Sequence, residues 1–341
     1  MRVVYLMIRV PVVSSTNKPL MPCHPARARE LVRDGRALRR FNKGIFYIKL
    51  INREDGYLQP VACGIDPGSK WEGYTVKSAA HTYININADA VTWVKDNVKI
   101  RRDMRKKRRA RKTPYRQCRR NRSVGSRLAP STRARWGWKL RISTWLSRVY
   151  PITAFVVEDV QVETRKGCKL WNRGFSPLGH GKRWFYRQLC KWGRVEIKSG
   201  YNTFEMRNGL GLKKLGTKSS KSFYAHCVDS WVLANSLSGG HEKPDNELVT
   251  SMSPIRFHRR QLHVQNPVKG GIRKQWGSTR SGGFSRGSLV KHIKRVLAYI
   301  GGYSKIGLSL YDVASGVRLG QKFKIADCTF FGRNSWRISY V

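Results

Sequence analysis

A short apolar run that ends in a carboxylate is the feature that most limits how this chain can fold. Residues Val61 to Gly68 read V-A-C-G-I-D-P-G, so small and apolar residues lead to Asp66 and a Pro-Gly pair ends the run. This pattern predicts a buried strand that delivers an acid to the edge of a sheet. A buried carboxylate is costly unless a positive group pairs with it. Asp66 is therefore either a cap for the following turn or a partner for a basic side chain or a metal ion.

The charge of the chain indicates its kind of partner. Among 341 residues there are 68 Lys+Arg against 20 Asp+Glu, a net charge of +48. Self-repulsion at this level opposes compaction, so a polyanion is expected, with nucleic acid ahead of an anionic membrane. No stretch reaches the roughly 18 apolar residues of a spanning helix. The apolar run Val3 to Ile8 is also shorter than the core of a signal peptide.

The cysteines indicate a reducing compartment. There are seven, an odd number, and no two of them form a C-x-x-C pair. A disulfide framework and a structural zinc site are therefore not expected. We predict a cytoplasmic protein.

Asp66 is predicted to end the first strand of a sheet, and a later apolar run also ends in acids. The segments Val61–Asp66, Trp71–Lys77 and His81–Asp89 are predicted as an antiparallel meander. After the amphipathic helix predicted for Trp136 to Val149, the apolar run Ile152 to Val157 ends in Glu158 and Asp159. Strand alternation sends these two acids to opposite faces, so the pattern alone leaves open which of them serves a site.

A later helix supplies the remaining polar pair. Ser222 to Leu237 is predicted as one helix, in which His226 and Asp229 are three residues apart and share a face. Between these segments, Lys182 to Gly193 is predicted as an amphipathic helix packed on the sheet, with stacking of its aromatic residues on unpaired bases as the alternative.

The densest basic segment is predicted to bind nucleic acid. From Lys99 to Arg122, 14 of 24 residues are Lys or Arg, and Asp103 is the only acid. Such a tract repels itself in water, and a helix is expected once phosphates screen it, ending near Thr113 before Pro114. The expected contacts are Arg101, Arg102, Arg105, Lys106, Lys107, Arg108, Arg109, Arg111, Lys112, Arg116, Arg119 and Arg120.

The two ends of the chain are predicted to differ in structure. Near the start, Pro25 opens a helix that runs to Arg33, and Ile45 to Ile51 forms a strand. Residues 240–341 contain 13 glycines and short apolar runs, which favours a largely β region. Its glycine pairs Gly270-Gly271 and Gly282-Gly283 fit hairpin turns or close approach of backbone to phosphates.

The order of strands, helices and acids is the plan of the RNase H-like nucleases. Such a site needs two Mg²⁺ ions about 4 Å apart to clamp the scissile phosphate, with Mn²⁺ as a substitute. Asp66 is the natural shared ligand, and Glu158 and Asp229 would each hold one metal. His226 would orient the attacking water or release a proton. The sequence does not fix these roles.

Several motifs resemble one family of nucleases. G-I-D-P-G-S-K around Asp66, V-V-E-D around Glu158 and A-H-C-V-D-S-W around Asp229 resemble the three RuvC motifs. The segment 99–122 resembles the arginine-rich bridge helix of RNA-guided nucleases. P-L-M-P at 19–22 and R-F-H-R-R-Q-L-H at 256–263 resemble the IscB and IsrB families. Only 68 positions separate Glu158 from His226, and no HNH module is readable there, so the chain resembles IsrB.

This resemblance implies an α/β protein with an RNase H-like (RuvC) core, an arginine-rich bridge helix, a small N-terminal PLMP module and a mainly β C-terminal domain. The implied layout is 1–60 for the PLMP module, 61–96 for the first RuvC part, 97–125 for the bridge helix, 126–240 for the other RuvC parts with a guide-RNA-contacting insertion, and 241–341 for the β domain. The last would read a short target-adjacent motif, and Arg256, Arg259 and Arg260 are expected to contact nucleic acid there.

The implied function is that of an RNA-guided DNA nickase. A large guide RNA would pair with the target strand of double-stranded DNA, and the RuvC site would cut the displaced strand. The resemblance implies a monomeric ribonucleoprotein without a membrane partner, in the cytoplasm of a prokaryotic cell and associated with the nucleoid. The alternatives are an RNA-independent junction resolvase, or an RNA-binding protein that has lost catalysis.

Overall fold

The computed structural model describes residues 9–110, 128–159, 177–217, 221–254, 280–285, 287–304, 307–313, 315–333 and 336–340. These residues fall into two compact units. The first lies within 1–40 and 47–249, and the second comprises Phe41–Phe46 and Thr250–Tyr340. None of the helices in the described part of the chain has the length and apolar character that crossing a lipid bilayer requires.

The chain begins with a small αβ module. Its elements are β1 (Val10–Val13), β2 (Pro19–Cys23), α1 (Pro25–Arg33), β3 (Ala37–Asn42) and β4 (Ile45–Leu50). Strand β1 pairs antiparallel with β2 and parallel with β4. Helix α1 has the predicted bounds, because Pro25 is pre-set for a first helical position and Gly35, at φ +69°, takes the chain out of the helix.

Five strands of one sheet form the centre of the first unit. These strands are β5 (Val61–Asp66), β6 (Trp71–Ser78), β7 (Thr82–Asp89), β8 (Ala154–Asp159) and β9 (Arg194–Ser199). Their spatial order is β7-β6-β5-β8-β9. Strand β6 pairs antiparallel with both β5 and β7, whereas β8 pairs parallel with both β5 and β9. The predicted meander is confirmed, with ends shifted by one residue in β6 and β7.

Six helices accompany this sheet within the described residues. They are α2 (Val94–Arg109), α3 (Pro130–Leu146), α4 (Pro177–Leu189), α5 (Gly200–Gly209), α6 (Phe223–His226) and α7 (Val228–Ser238). Phe185 and Leu189 of α4 are completely buried, which confirms that this helix packs on the core. Helix α3 buries Trp138, Ile142 and Trp145, as its apolar spacing predicted.

Helices α3 and α4 both begin and end earlier than predicted, and the structure differs from the sequence expectations at three further places. The helix predicted over Ser222–Leu237 is divided at Cys227 into α6 and α7. Strand β9 and helix α5 were not predicted, because R-V-E-I-K-S is short and only half-buried and lies in a basic, aromatic region. Helix α2 begins at Val94, five residues before the basic run, because Val94 is buried and anchors its first turn.

The second unit is built from strands in its described part. Strand β10 (Val249–Pro254) pairs antiparallel with β18 (Trp336–Tyr340), and β11 (Arg280–Ser281) forms a short hairpin with β12 (Phe284–Ser285). A separate sheet has the order β16-β15-β14-β13-β17. Its strands are β13 (Ser288–His292), β14 (Arg295–Ser304), β15 (Gly307–Asp312), β16 (Arg318–Phe323) and β17 (Cys328–Arg333).

The glycines of this unit form turns where they are described. Gly282 and Gly283 connect β11 and β12 with φ values of +56° and +85°, a conformation that favours glycine. The hairpin interpretation is therefore confirmed for this pair. Gly270 and Gly271 lie outside the described residues.

Candidate metal centre and its neighbouring charges

Two strand ends bring the first two acids together. Strands β5 and β8 are parallel neighbours, and Ile65 lies opposite Val157 in the ladder. The next residue on each strand is an acid, so Asp66 and Glu158 emerge side by side at the same edge of the sheet. This is the arrangement that the two acid-tipped apolar runs predicted.

Two glycines let helix α7 approach this edge. A Cβ atom on Gly64 would lie 1.8 Å from the carbonyl oxygen of Ser230, and one on Gly73 would lie 2.4 Å from the carbonyl oxygen of His226. Ser230 also lies 2.9 Å from Thr75, hydroxyl oxygen to hydroxyl oxygen. The bare backbone of β5 and β6 thus allows a contact that any side chain would prevent, and it holds the first turn of α7, with Asp229, over the sheet.

Asp66, Glu158 and Asp229 form one carboxylate cluster. One ligand oxygen from each lies within 4.8 Å of the other two. The Asp229 side chain is 6% exposed and that of Asp66 is 22% exposed. Three oxygen ligands at one partly open point are the donor set that Mg²⁺ and similar hard cations take, so the residues fit a divalent metal.

Two basic side chains already neutralise part of this cluster. The guanidinium of Arg207 donates to Asp229 at 2.5 Å. The ammonium of Lys214 donates to the other oxygen of Asp229 and lies 3.8 Å from a carboxylate oxygen of Asp66. Lys214 therefore bridges two of the three acids, and two cations face three carboxylates.

Helix α5 and the loop after it position these cations. Ser199 caps α5 by accepting from the backbone N–H of Asn202 at 3.1 Å. A Cβ on Gly200 would lie 2.9 Å from a carboxylate oxygen of Glu158, so glycine lets the acid lie against the helix N-terminus, where the helix dipole favours negative charge. Arg207 lies on the last turns of α5. Leu212 is buried in the core and anchors the loop two residues before Lys214.

The electrostatics of the cluster are those of crowded acids. Burial raises the pKa of Asp66, and the Asp229 carboxylate adds to this while Lys214 opposes it. Burial, followed by the charges of Asp66 and Asp229, raises the pKa of Glu158 to about 7. A carboxyl group with such a pKa holds its proton more tightly than in water, and a bound cation would release that proton.

The structure decides between Glu158 and Asp159. Glu158 joins the cluster, whereas Asp159 points away from it, as strand alternation requires. Asp159 accepts from the ammonium of Lys182 at 2.8 and 3.0 Å and from the hydroxyl of Tyr186 at 2.9 Å, both on α4. Asp159 therefore ties α4 to the sheet.

His226 is not a member of the cluster. It ends α6, and its ring lies against Trp71 with ring centroids 5.1 Å apart. Its side chain is buried. Because the helix is divided at Cys227, His226 and Asp229 belong to different helices.

A second buried charge pair lies on the other side of the sheet. Gly73 faces α7, so its neighbour Glu72 faces the opposite side by alternation. There the Glu72 carboxylate accepts from the ammonium of Lys139 on α3 and from the hydroxyl of Tyr74 at 2.8 Å. The Lys139 ammonium also donates to the carbonyl oxygen of Gly68, just after β5, at 3.3 Å.

The predicted nucleic-acid contacts are only partly within the described residues. On α2 the side chains of Arg101, Arg102, Arg105, Lys106, Lys107 and Arg109 are exposed, and Arg108 lies on the same helix. The remaining predicted contacts lie outside the described residues: Arg111, Lys112, Arg116, Arg119, Arg120, Arg256, Arg259 and Arg260.

Sequence reasoning did not identify Lys214 and Arg207 as part of the site. With 68 basic residues in the chain, no local pattern distinguishes these two. Their only sequence signal is a position within the approximately 20 residues before Asp229.

Fold and site together define a class. The strand order β7-β6-β5-β8-β9, with acids at the ends of β5 and β8 and at the start of a later helix, is the expected plan of an RNase H-like protein. The family model described as RRXRR protein matches residues 10–170, a span that contains Asp66 and Glu158 and ends before Asp229. No curated protein sequence gives a significant match.

Three of the solved structures that match this chain illustrate how weak the similarity is. RuvC of T. thermophilus in complex with a Holliday junction substrate is 15% identical at a TM-score of 0.30, with 53% of this chain and 98% of that chain covered. The yeast mitochondrial Holliday junction resolvase Ydc2 is 12% identical at 0.27, covering 55% and 81%. A CRISPR-Cas12f ternary complex is 15% identical at 0.28, covering 62% of this chain and 47% of that chain.

Proposed function

We propose that this protein is a divalent-metal-dependent DNA endonuclease that works as an RNA-guided nickase of the IsrB type. The observation that carries the nuclease proposal is the carboxylate cluster of Asp66, Glu158 and Asp229. Acids at this spacing, with Glu158 at a raised pKa, are too crowded to serve stability alone.

The proposed cofactor is a pair of Mg²⁺ ions, which Mn²⁺ can replace. When bound, such ions supply a clamp on the scissile phosphate and an activated water. Asp66 is the proposed shared ligand, because it lies on the central strand with Glu158 beside it. Glu158 and Asp229 would complete the ligand set from either side.

The basic neighbours of the cluster have a proposed role toward the substrate. The Nε of Arg207 is buried and has no hydrogen-bond partner among the described residues. Lys214 is one-third exposed and bridges Asp66 and Asp229, the two acids that would become metal ligands. Once metal neutralises the acids, both cations would be available for the oxygens of the DNA backbone.

RNA guidance is supported by features outside the cluster. These are the net charge of +48, the exposed basic face of α2, the P-L-M-P segment in β2 and the RRXRR match. In this proposal the partners are a guide RNA and double-stranded target DNA, and the assembly is a monomeric ribonucleoprotein in the prokaryotic cytoplasm. A target-adjacent motif would be read by the C-terminal strands.

The decisive test of the nuclease proposal compares an acid of the cluster with an acid just outside it. We expect Asp66→Ala to lower DNA nicking by at least about 10³-fold, since bound metal supplies several kcal/mol of catalysis, and to leave nucleic acid binding intact. Asp159→Asn is the matched control, because Asp159 lies beside Glu158 but outside the cluster. Nicking by Asp66→Ala at the wild-type rate in Mg²⁺ would refute the site.

RNA guidance needs its own test. The protein is purified from cells that carry its own locus, and the bound RNA is sequenced. We expect one discrete, long RNA that is required for nicking a matching DNA. Metal-dependent cleavage of branched DNA without any such RNA would instead assign a structure-selective nuclease.

A further inference from the structure

A pocket in the N-terminal module shares no residue with the carboxylate cluster. It has a volume of about 380 Å³, within the range of small-molecule and cofactor sites. Its apolar floor consists of Val12, Leu20, Leu31 and Leu50, which come from β1, β2, α1 and β4 and are buried. The floor therefore belongs to a formed core and is not a chance gap between loops.

The rim of this pocket is cationic. Arg27, Arg36 and Arg53 line it, and its lining contains no acid. Arg36 is exposed and has no acidic partner among the described residues, whereas Arg27 shares an exposed ion pair with Glu30 at 2.8 Å. An exposed pair of this kind is weak and is readily exchanged for a phosphate.

An aromatic ring completes the rim. Tyr57 lines the pocket and is 86% exposed. Its backbone follows the turn at Arg53, where the Arg53 guanidinium donates to the carbonyl oxygen of Asp55 at 2.8 Å. A large ring held at the edge of an apolar pocket offers a flat surface on which another ring can stack.

We propose that this pocket receives one unpaired nucleotide of a single-stranded nucleic acid. The base would lie on the apolar floor against Tyr57, and its phosphate would bind Arg36 and Arg27. A planar aromatic group joined to an anion is the ligand that an apolar floor, an exposed ring and exposed guanidinium groups fit together. This site requires no metal and goes beyond the proposed nuclease.

The test measures binding of the full-length protein to fluorescent oligonucleotides in EDTA over a series of salt concentrations. The probes are a uridine RNA of about eight nucleotides, the equivalent single-stranded DNA, and an RNA duplex. We expect Tyr57→Ala to weaken binding of a single strand by roughly 5- to 150-fold without changing the salt dependence. Tyr57→Phe keeps the ring and should bind as the wild type does.

The cationic half of the site has its own variants. Arg36→Ala should weaken single-strand binding more than Arg29→Ala, the matched control, which removes an exposed charge of α1 outside the pocket. It should also reduce the salt slope by about one. Urea unfolding of each variant confirms that the exposed substitutions leave the fold intact.

The outcomes separate the possible ligands. A loss on Tyr57→Ala with RNA alone assigns the pocket to RNA, and a loss with DNA alone assigns it to DNA. A loss with both supports a site that does not read the 2′-hydroxyl. The proposal is wrong if Tyr57→Ala acts no more strongly than Arg29→Ala, or if it weakens duplex binding equally. Because no cleavage is measured, failure of the Asp66 test leaves this result unaffected.

Discussion

Buried carboxylates on the two faces of the central sheet differ in their ion-pair and hydrogen-bond partners. On one face Glu72 has a single ammonium partner, Lys139, and one tyrosine hydroxyl, and the pair is almost fully buried. Asp159 is satisfied in the same way by Lys182 and Tyr186. Each of these acids is matched by one cation and one neutral donor, which is how a structural charge is kept inside a protein.

The carboxylate cluster has the opposite design. Among the described residues, the ion-pair partners of this cluster are Lys214 and Arg207, and the pKa of Glu158 is raised to about 7. The cluster is also partly open to solvent, whereas Glu72 is not. An excess of like charge at an open point weakens the metal-free fold and favours an added cation. The difference therefore distinguishes a structural acid from a candidate ligand.

The largest expected effect on stability comes from the structural pair. Glu72→Gln leaves the Lys139 ammonium buried without its counter-charge, and we expect a loss of about 3–5 kcal/mol in the free energy of unfolding. Asp66→Asn, which removes one of three crowded acids, should leave the metal-free stability unchanged or raise it. Urea unfolding in EDTA measures both. Equal destabilisation by the two variants would remove the distinction between the centres.

Mg²⁺ should stabilise the protein by binding at the carboxylate cluster and not at the structural acids. At a Mg²⁺ concentration about 100-fold above its Kd, the free energy of unfolding should rise by about 2.7 kcal/mol, because the ion binds the folded state. The gain should be lost in Asp66→Asn and kept in Asp159→Asn. Thermal unfolding with and without Mg²⁺ provides the readout, and a gain that persists in Asp66→Asn would place the metal elsewhere.

A smaller effect is expected at Lys214. Replacing it with glutamine removes the ammonium that bridges Asp66 and Asp229. The metal-free protein should lose about 1 kcal/mol of stability, and Mg²⁺ should bind more tightly because no internal cation competes with it. Lys213→Gln is the matched control, since Lys213 is the exposed neighbour. Calorimetric titration of Mg²⁺ measures the affinity; weaker binding by Lys214→Gln would contradict competition.

A dependence on pH provides a further test of the crowding of these acids. Glu158 has a folded-state pKa of about 7, above its ordinary value of 4.5, so the folded state binds the proton more tightly than the unfolded state. The stabilising contribution of Glu158 to the free energy of unfolding is present at low pH and is lost as the pH rises from about 4.5 to about 7. The stability of the metal-free wild type, measured relative to Glu158→Gln, should fall across that window. Mg²⁺ affinity should rise over the same window, and a flat profile would show that Glu158 is not crowded.

Much of the fold could be predicted from the sequence. The meander, the second acid-tipped strand and helix α1 follow from local periodicity and from proline and glycine signals, which act over a few residues. The break at Cys227 and the elements β9 and α5 could not, because tertiary packing overrides a weak local pattern there.

The candidate site divides in the same way. The sequence by itself determined that Asp66 and a second acid end apolar strands and that Asp229 lies on a later helix. Only the tertiary structure decided that Glu158 and not Asp159 joins them, that His226 lies apart against Trp71, and that Lys214 and Arg207 neutralise the cluster. The physical reason is the range of the interactions involved. A strand and its terminal acid depend on residues that are neighbours in the sequence. Which face an acid occupies, and which of 68 cations reaches it, depends on strand register and on the close approach of α7 at Gly64 and Gly73.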